Sequence, residues 1–433
     1  MMQRMAFWRP QQLWQGARSR ARIVAPLGMR VTQRHRFASS GRGNLFDPFQ
    51  LLASELNQVK EDVHALVDSA DPALASIAKY YFASPQPGKH LRPLLILLVS
   101  QATAAPLSPD HYEAPRINTP ISAPDILDDP NPFAPLTTAS ITPDATILPA
   151  QQRLAAIAEL LHVASLLHDD VIDSAETRRG QLSAPLKFGG KLSIFAGDFL
   201  VARASMALAR LGNSEVNKLV SSISMEMIEG EIVQLATILN KSPSSYPSAA
   251  PDVHLQDPPI PHSFDETLFD AYRRKNYLKT ASIISKFCQA AVLLSPISSQ
   301  DELLVTASYE YGNHLGLAFQ IVDDILNFTG SNESYGRAGD WSDLKSGLIT
   351  APALFAWKEC GSKFGELVSR GFKDTGDLDL AGKMIDDSDA ISKSYQLAAH
   401  HVQISQAQLN HFQDSSAKQV LNQISNSVLD RKH

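Results

Sequence analysis

Ten of the chain's 26 prolines fall between Pro106 and Pro149, and six more lie between Pro243 and Pro261. Proline lacks a backbone N–H and clashes with the preceding helical turn, so neither stretch can be regular helix. Any core must be built from the segments between them, and these carry helical periodicity. From Gln151 to Glu176 the apolar positions Leu154, Ile157, Leu161, Ala164, Leu167 and Val171 recur at spacings of three and four. Further helices are expected over about 197–211, 216–239, 267–294, 302–327 and 351–360. Near the end, Asp414 reads as an N-cap ahead of Lys418, Leu421, Ile424 and Val428. No stretch alternates apolar and polar residues over a strand's length, and no internal repeat is evident. The expected fold class is all-α, with about 103–150 and 241–263 inserted as surface loops.

The amino-terminal segment has a different chemistry. Residues 1–43 hold nine Arg, no Lys and no acid, the first being Asp47. With Trp8, Leu13, Trp14, Ile23 and Val24 among the arginines, this is the composition of a mitochondrial transit peptide, which leaves 44–433 as the working domain. The net charge is −6; without those nine arginines, 30 Lys+Arg face 45 Asp+Glu, about −15. So acidic a surface argues against a nucleic-acid binder. A hydrophobic content of 44% over 433 residues argues against a mainly disordered chain. Cys288 and Cys360 are too few for a disulfide framework. The longest apolar run, Leu94 to Val99, is far short of a membrane span.

Chemistry concentrates in acidic pairs set in apolar helix. His168-Asp169-Asp170-Val171-Ile172-Asp173 puts Asp169 and Asp173 on one helix face with Asp170 beside them, followed by Arg178, Arg179 and Gly180. Carboxylates this close repel unless a cation lies between them, and hard oxygen donors one turn apart suit Mg²⁺. Paired with Arg178 and Arg179, the same cluster could equally be a helix-surface feature. A second pair, Asp323-Asp324, follows Phe319-Gln320 in another apolar helix and ends at Asn327. Two such pairs on separate helices can hold a metal cluster between them. The cations Lys89 and Arg92, Arg178 and Arg179, Lys279 beside Thr280, and Lys345 complete a site for two polyanionic groups.

In these motifs the chain resembles the trans-isoprenyl diphosphate synthases, above all the long-chain polyprenyl synthases of fungal mitochondria that make the ubiquinone side chain. The resemblance rests on Gly88-Lys89…Arg92-Pro93, Asp169–Asp173 with Arg178-Arg179-Gly180, Gly197-Asp198-Phe199-Leu200, Lys279-Thr280, Phe319-Gln320…Asp323-Asp324 and Asp343-Leu344-Lys345…Gly347…Thr350-Ala351-Pro352. It extends to Ser416-Ala417…Arg431-Lys432 and covers nearly all of 45–433 outside the two insertions. It implies a single large helical bundle around a central cavity, a mitochondrial prenyltransferase, and successive addition of isopentenyl diphosphate to an allylic diphosphate, farnesyl or geranylgeranyl.

The same resemblance implies roles. Asp169, Asp170, Asp173, Asp323 and Asp324 would hold Mg²⁺, and Arg178 the allylic diphosphate. Lys89, Arg92, His162 and Arg179 would hold isopentenyl diphosphate; His162, seven residues before Asp169, shares its face. Lys279, Thr280, Gln320 and Lys345 would steady the allylic group or its developing cation. Ala164 and Ser165 stand where short-chain relatives carry aromatic floors, so small residues there imply a long product. One position departs from the pattern: Asn327 stands where the second motif normally ends in Asp, which implies retuned Mg²⁺ binding. The spacing around Gly339-Asp340-Trp341-Ser342-Asp343 is also unusual for the family. A homodimer or heteromer is implied, with a loose inner-membrane association and no anchor. The competing readings are a non-catalytic subunit of a heteromeric synthase and a terpene cyclase on the same fold. Intact arginines and a second diphosphate site argue against them.

Overall fold

The structure, a computed structural model, describes residues 48–69, 71–83, 90–105, 147–178, 180–237, 263–329, 331–332, 337–338 and 341–431. They lie in a unit running from Phe46 to His433. The expected transit segment, most of both insertions, Lys89, Arg179, Gly339 and Asp340 lie outside the described residues.

The chain forms α1 (Pro48–Leu51), α2 (Ala53–Leu66), α3 (Pro72–Lys79), α4 (Leu91–Ala102) and the long α5 (Pro149–Ile172). A hairpin of β1 (Thr177–Arg178) and β2 (Gln181–Leu182) leads to α6 (Ala184–Phe188), α7 (Gly190–Arg210) and α8 (Ser214–Thr237). Next, α9 (Thr267–Asn276) passes through a π-helical turn, Tyr277–Ala281, into α10 (Ser282–Leu293), before α11 (Glu302–Thr329). A second short pair, β3 (Ser331–Asn332) and β4 (Arg337–Ala338), precedes α12 (Ser342–Ser346), α13 (Ala351–Cys360) and α14 (Ser362–Ser369). The chain closes with α15 (Asp377–Asp387), α16 (Ala390–Gln408) and α17 (Ser416–Leu429). The fold is all-α, as the periodicity predicts.

Local chemistry sets the helix starts. Pro149 occupies the first turn of α5, where a missing N–H costs nothing. Gln151 there accepts from Leu148 N–H at 2.9 Å and donates to Ala291 O at 2.7 Å, tying α5 to α10. Asp71 caps α3 through Leu74 N–H at 2.9 Å. The cap of α17 is Ser415 rather than the expected Asp414. Its hydroxyl accepts from Lys418 N–H at 3.2 Å, while Asp414 pairs with the Lys418 ammonium at 2.8 Å.

The apolar run of α4 is buried throughout, from Leu94 to Val99, so this helix is central rather than amphipathic. It packs against α5, α10 and α17, each such leucine contributing roughly 1.5–3 kcal/mol of burial. By length and composition α7 could cross a membrane, a property the short Leu94–Val99 run does not reveal; here it lies along α5 and buries Ala196, Leu200, Ala204 and Ala207. A second, smaller core of Phe328, Leu344, Trp357, Phe364 and Ile385 gathers the end of α11 with α12 to α15.

Candidate active site

The first motif sits at the end of α5. Asp169 is partly buried and Asp173, its C-cap, is exposed. Burial pushes the Asp169 carboxyl up to about 6; Glu231 and Asp173 add to the rise, and Lys279 and Arg178 oppose it. Asp170 is fully buried. The Tyr81 hydroxyl donates to its Oδ2, and Arg178 donates to its Oδ1 through Nε at 2.8 Å and through Nη2. Tyr81 in turn accepts from Ala184 N–H at 2.7 Å. In this arrangement Asp170 commits both oxygens to Tyr81 and Arg178, so Asp169 and Asp173 are the more exposed carboxylates of the expected ligand set. Upstream, Ser165 is partly exposed and donates to His162 O at 2.8 Å, whereas Ala164 is buried. Gly197 has a steric role, since a Cβ there would stand 2.3 Å from His168 Nε2. Asp198 lies 3.4 Å from the same nitrogen.

The second motif repeats the design. Asp323 is half-exposed and accepts from Arg431 Nη2 at 3.1 Å, with the guanidinium 3.9 Å above the Phe319 ring. Asp324 is buried; Tyr272 O–H donates to its Oδ2 at 2.5 Å and Gln320 Nε2 to its Oδ1 at 2.9 Å. Here too a tyrosine takes the second aspartate, so Asp323 is the more exposed carboxylate of the pair. Burial pushes its carboxyl up, against the pull of Lys275. The Asn327 side chain is bonded to the following loop, accepting from Asp343 N–H at 3.3 Å and donating to Ser342 Oγ at 2.6 Å.

The π turn joins the two motifs. Its wide ring, closed by Ser282 N–H on Tyr277 O, turns consecutive residues to different partners. Lys279 Nζ lies 2.6 Å from Glu231 and donates to Gln234 at 2.8 Å, within electrostatic reach of Asp169. Thr280 donates to Gln320 Oε1 at 2.8 Å, and through it reaches Asp324. Lys345 is exposed on α12. Arg92 is half-buried in the first turn of α4, after His90, whose backbone is left-handed at φ 43° and whose Nδ1 lies 3.0 Å from Glu159.

Four site residues escape the sequence reading, Tyr81, Tyr272, Glu231 and Lys275, as does the contact of Arg431 with Asp323. Lys275 is buried, its ammonium pushed down by desolvation, among Asp324, Asp343, Lys279 and Glu231. Glu231 is one of four glutamates in α8, and nothing in the sequence sets it apart. The tyrosines had no signal either.

Among the described residues no three His, Cys, Asp or Glu side chains converge as a ready-made metal cage. The donor chemistry still fits a hard divalent cation. Asp169, Asp173 and Asp323 keep carboxylate oxygens outside the buried pairs, and such a cation binds through few carboxylates, retaining waters and taking phosphate oxygens.

Residues 71–385 match the family model described as polyprenyl synthetase. A protein named probable hexaprenyl pyrophosphate synthase, mitochondrial, of Neurospora crassa is 42% identical, over 89% of this chain and 82% of its own length. The mitochondrial hexaprenyl pyrophosphate synthase of Saccharomyces cerevisiae is 36% identical over 89% and 91%, and decaprenyl-diphosphate synthase subunit 1 of Schizosaccharomyces pombe 34% over 92% and 93%. In fold, the chain is similar to a Caulobacter crescentus polyprenyl synthase solved with calcium and isoprenyl diphosphate (TM-score 0.66, 24% identity, 89% of this chain and 97% of that one). An apo Arabidopsis medium/long-chain length prenyl pyrophosphate synthase gives 0.59 at 28% identity, over 90% and 100%.

Proposed function

The chain belongs to the polyprenyl synthetase family, and from that premise we propose that it is a mitochondrial long-chain trans-polyprenyl diphosphate synthase extending an allylic diphosphate with isopentenyl diphosphate for the ubiquinone side chain. Lys279 and Thr280 carry the assignment: adjacent residues of one π turn, one pairs with Glu231 within electrostatic range of Asp169 and the other is linked through Gln320 to Asp324.

Arg178, held by Asp170, grips the allylic diphosphate, with Lys279 and Lys345 adding positive charge. Diphosphate leaves only when its charge is neutralised, and cations fixed in advance do this without reorganisation. A divalent cation, which we assign as Mg²⁺, would be held by Asp169, Asp173 and Asp323 and would supply further neutralisation of the leaving group. The Thr280 hydroxyl and Gln320 amide direct dipoles at the allylic carbon as positive charge develops. Lys89, Arg92, His162 and Arg179 hold isopentenyl diphosphate so that its alkene attacks that carbon. A C–C bond forms, the C–O bond to diphosphate breaks, and a proton passes to the departing diphosphate. Ser165, on the Asp169 side of α5, borders the growing chain.

Residues 1–43 direct import. The protein works as a homodimer, through Leu192 and Phe195 of α7 and Met225, Ile228 and Ile232 of α8, all exposed apolar side chains. The non-catalytic alternative gains no support, since the first motif and Arg178-Arg179 are intact.

The test is product analysis. Full-length protein with Mg²⁺, farnesyl diphosphate and excess labelled isopentenyl diphosphate is expected to yield a ladder ending in one long polyprenyl diphosphate, and Asp169→Ala to abolish it. A folded wild type that yields no product, or an equally active Asp169→Ala, would refute the assignment.

A further inference from the structure

Three hydrogen bonds join Asn327, near the end of α11, to the loop that follows. Its carbonyl accepts from Trp341 N–H at 3.2 Å, its Oδ1 from Asp343 N–H at 3.3 Å, and its Nδ2 donates to Ser342 Oγ at 2.6 Å. A carboxamide can face both partners at once, one end accepting and the other donating. A carboxylate would accept from Asp343 N–H as well, but could keep Ser342 only if that hydroxyl turned to donate.

The loop is held on its other side by Trp341. Its backbone is left-handed at φ 54°, a conformation a bulky residue keeps only when its surroundings enforce it. The indole lies over Gly382 of α15, where a Cβ would come within 2.0 Å of ring carbon Cη2. Only glycine gives the ring that seat. The segment is therefore pinned between the catalytic end of α11 and the smaller core.

Its cargo is charge. Asp343 lies within electrostatic range of the buried Lys275, as do Asp324, Lys279 and Glu231, and Lys345 follows half a turn later. Resting on the prenyltransferase reading above, we infer that Asn327 is a positioning residue, clamping Trp341–Lys345 so that Asp343 and Lys345 keep their register with the second acidic motif. The amide that departs from the family pattern then serves the loop and not a metal.

The test combines hydrogen–deuterium exchange of the full chain, read on a peptide covering 341–347, with the KM for farnesyl diphosphate and the half-saturating Mg²⁺ concentration. One hydrogen bond lost, about 1 kcal/mol, should speed local exchange about fivefold. Asn327→Ala is expected to do so and to raise KM several-fold, leaving Mg²⁺ half-saturation unchanged. Ser342→Ala, at an exposed site that cannot threaten folding, should reproduce the faster exchange, and Asn327→Asp should not tighten Mg²⁺. The clamp is overturned if exchange at 341–347 stays as in wild type in all three variants. It is equally overturned if Asn327→Asp lowers and Asn327→Ala raises the Mg²⁺ requirement. Exchange needs no turnover, so a wild type without polyprenyl product would count against the prenyltransferase reading alone.

Discussion

Single side chains decide how the two acidic motifs are used. In each, one tyrosine hydroxyl donates to the buried second aspartate, and the first is the more exposed. Tyr272→Phe deletes the donor to Asp324 Oδ2 and strands a buried acceptor, so a loss of about 1–3 kcal/mol is expected in denaturant unfolding. A second residue-scale prediction concerns His314 and His401, whose Nδ1 atoms lie 2.8 Å apart between α11 and α16. Burial pulls His314 down to about 4 and His401 to about 3, with His400 adding to both and Arg273 to the latter. Below about pH 6.5 the unfolded chain takes up protons that the folded pair refuses. Stability should therefore be complete above that pH and fall as pH drops toward 4, by on the order of 2 kcal/mol per histidine at pH 5. Urea midpoints across pH 5–8 measure this, and His314→Asn should flatten the profile.

At the scale of the element, much was legible. Apolar recurrence at three and four residues marks α5, α8, α11 and α13 because one face of each is buried, and the acidic pairs stand out because carboxylates are rare on such faces. What periodicity cannot register is a change of helical pitch. The run 267–294 reads as one helix, and nothing in its composition marks the π turn that gives Lys279 and Thr280 different partners. Nor does local sequence pair Tyr81 with Asp170 or Tyr272 with Asp324, separated by 89 and 52 residues. The helix α5 carries its own prediction. Ser165 is partly exposed and one turn from Asp169, so Ser165→Phe should obstruct the chain's path and shorten the final product by several isoprene units. Chain-length analysis reads this directly; an unchanged product would remove Ser165 from the cavity wall.

For the whole molecule, the exposed stripe on α7 and α8 is the feature a monomer explains least. Sedimentation should find a dimer, and Ile228→Lys, which sets a charge at the middle of that stripe, should shift it toward monomer at micromolar concentration with helicity intact. The molecule is also closed by its last helix. α17 packs on α4, accepts the Tyr311 hydroxyl at Leu421 O at 3.0 Å, and sends Arg431 to Asp323, 108 residues upstream. A chain made from its amino end thus spends most of its synthesis with α4 lacking its α17 neighbour, and the last 108 residues up to Arg431 with Asp323 lacking its arginine. Birth order and competence are then linked: the α17 side of α4 and the arginine at Asp323 arrive only after every helix before them has been made, and a shorter nascent fragment, however helical, lacks both contacts.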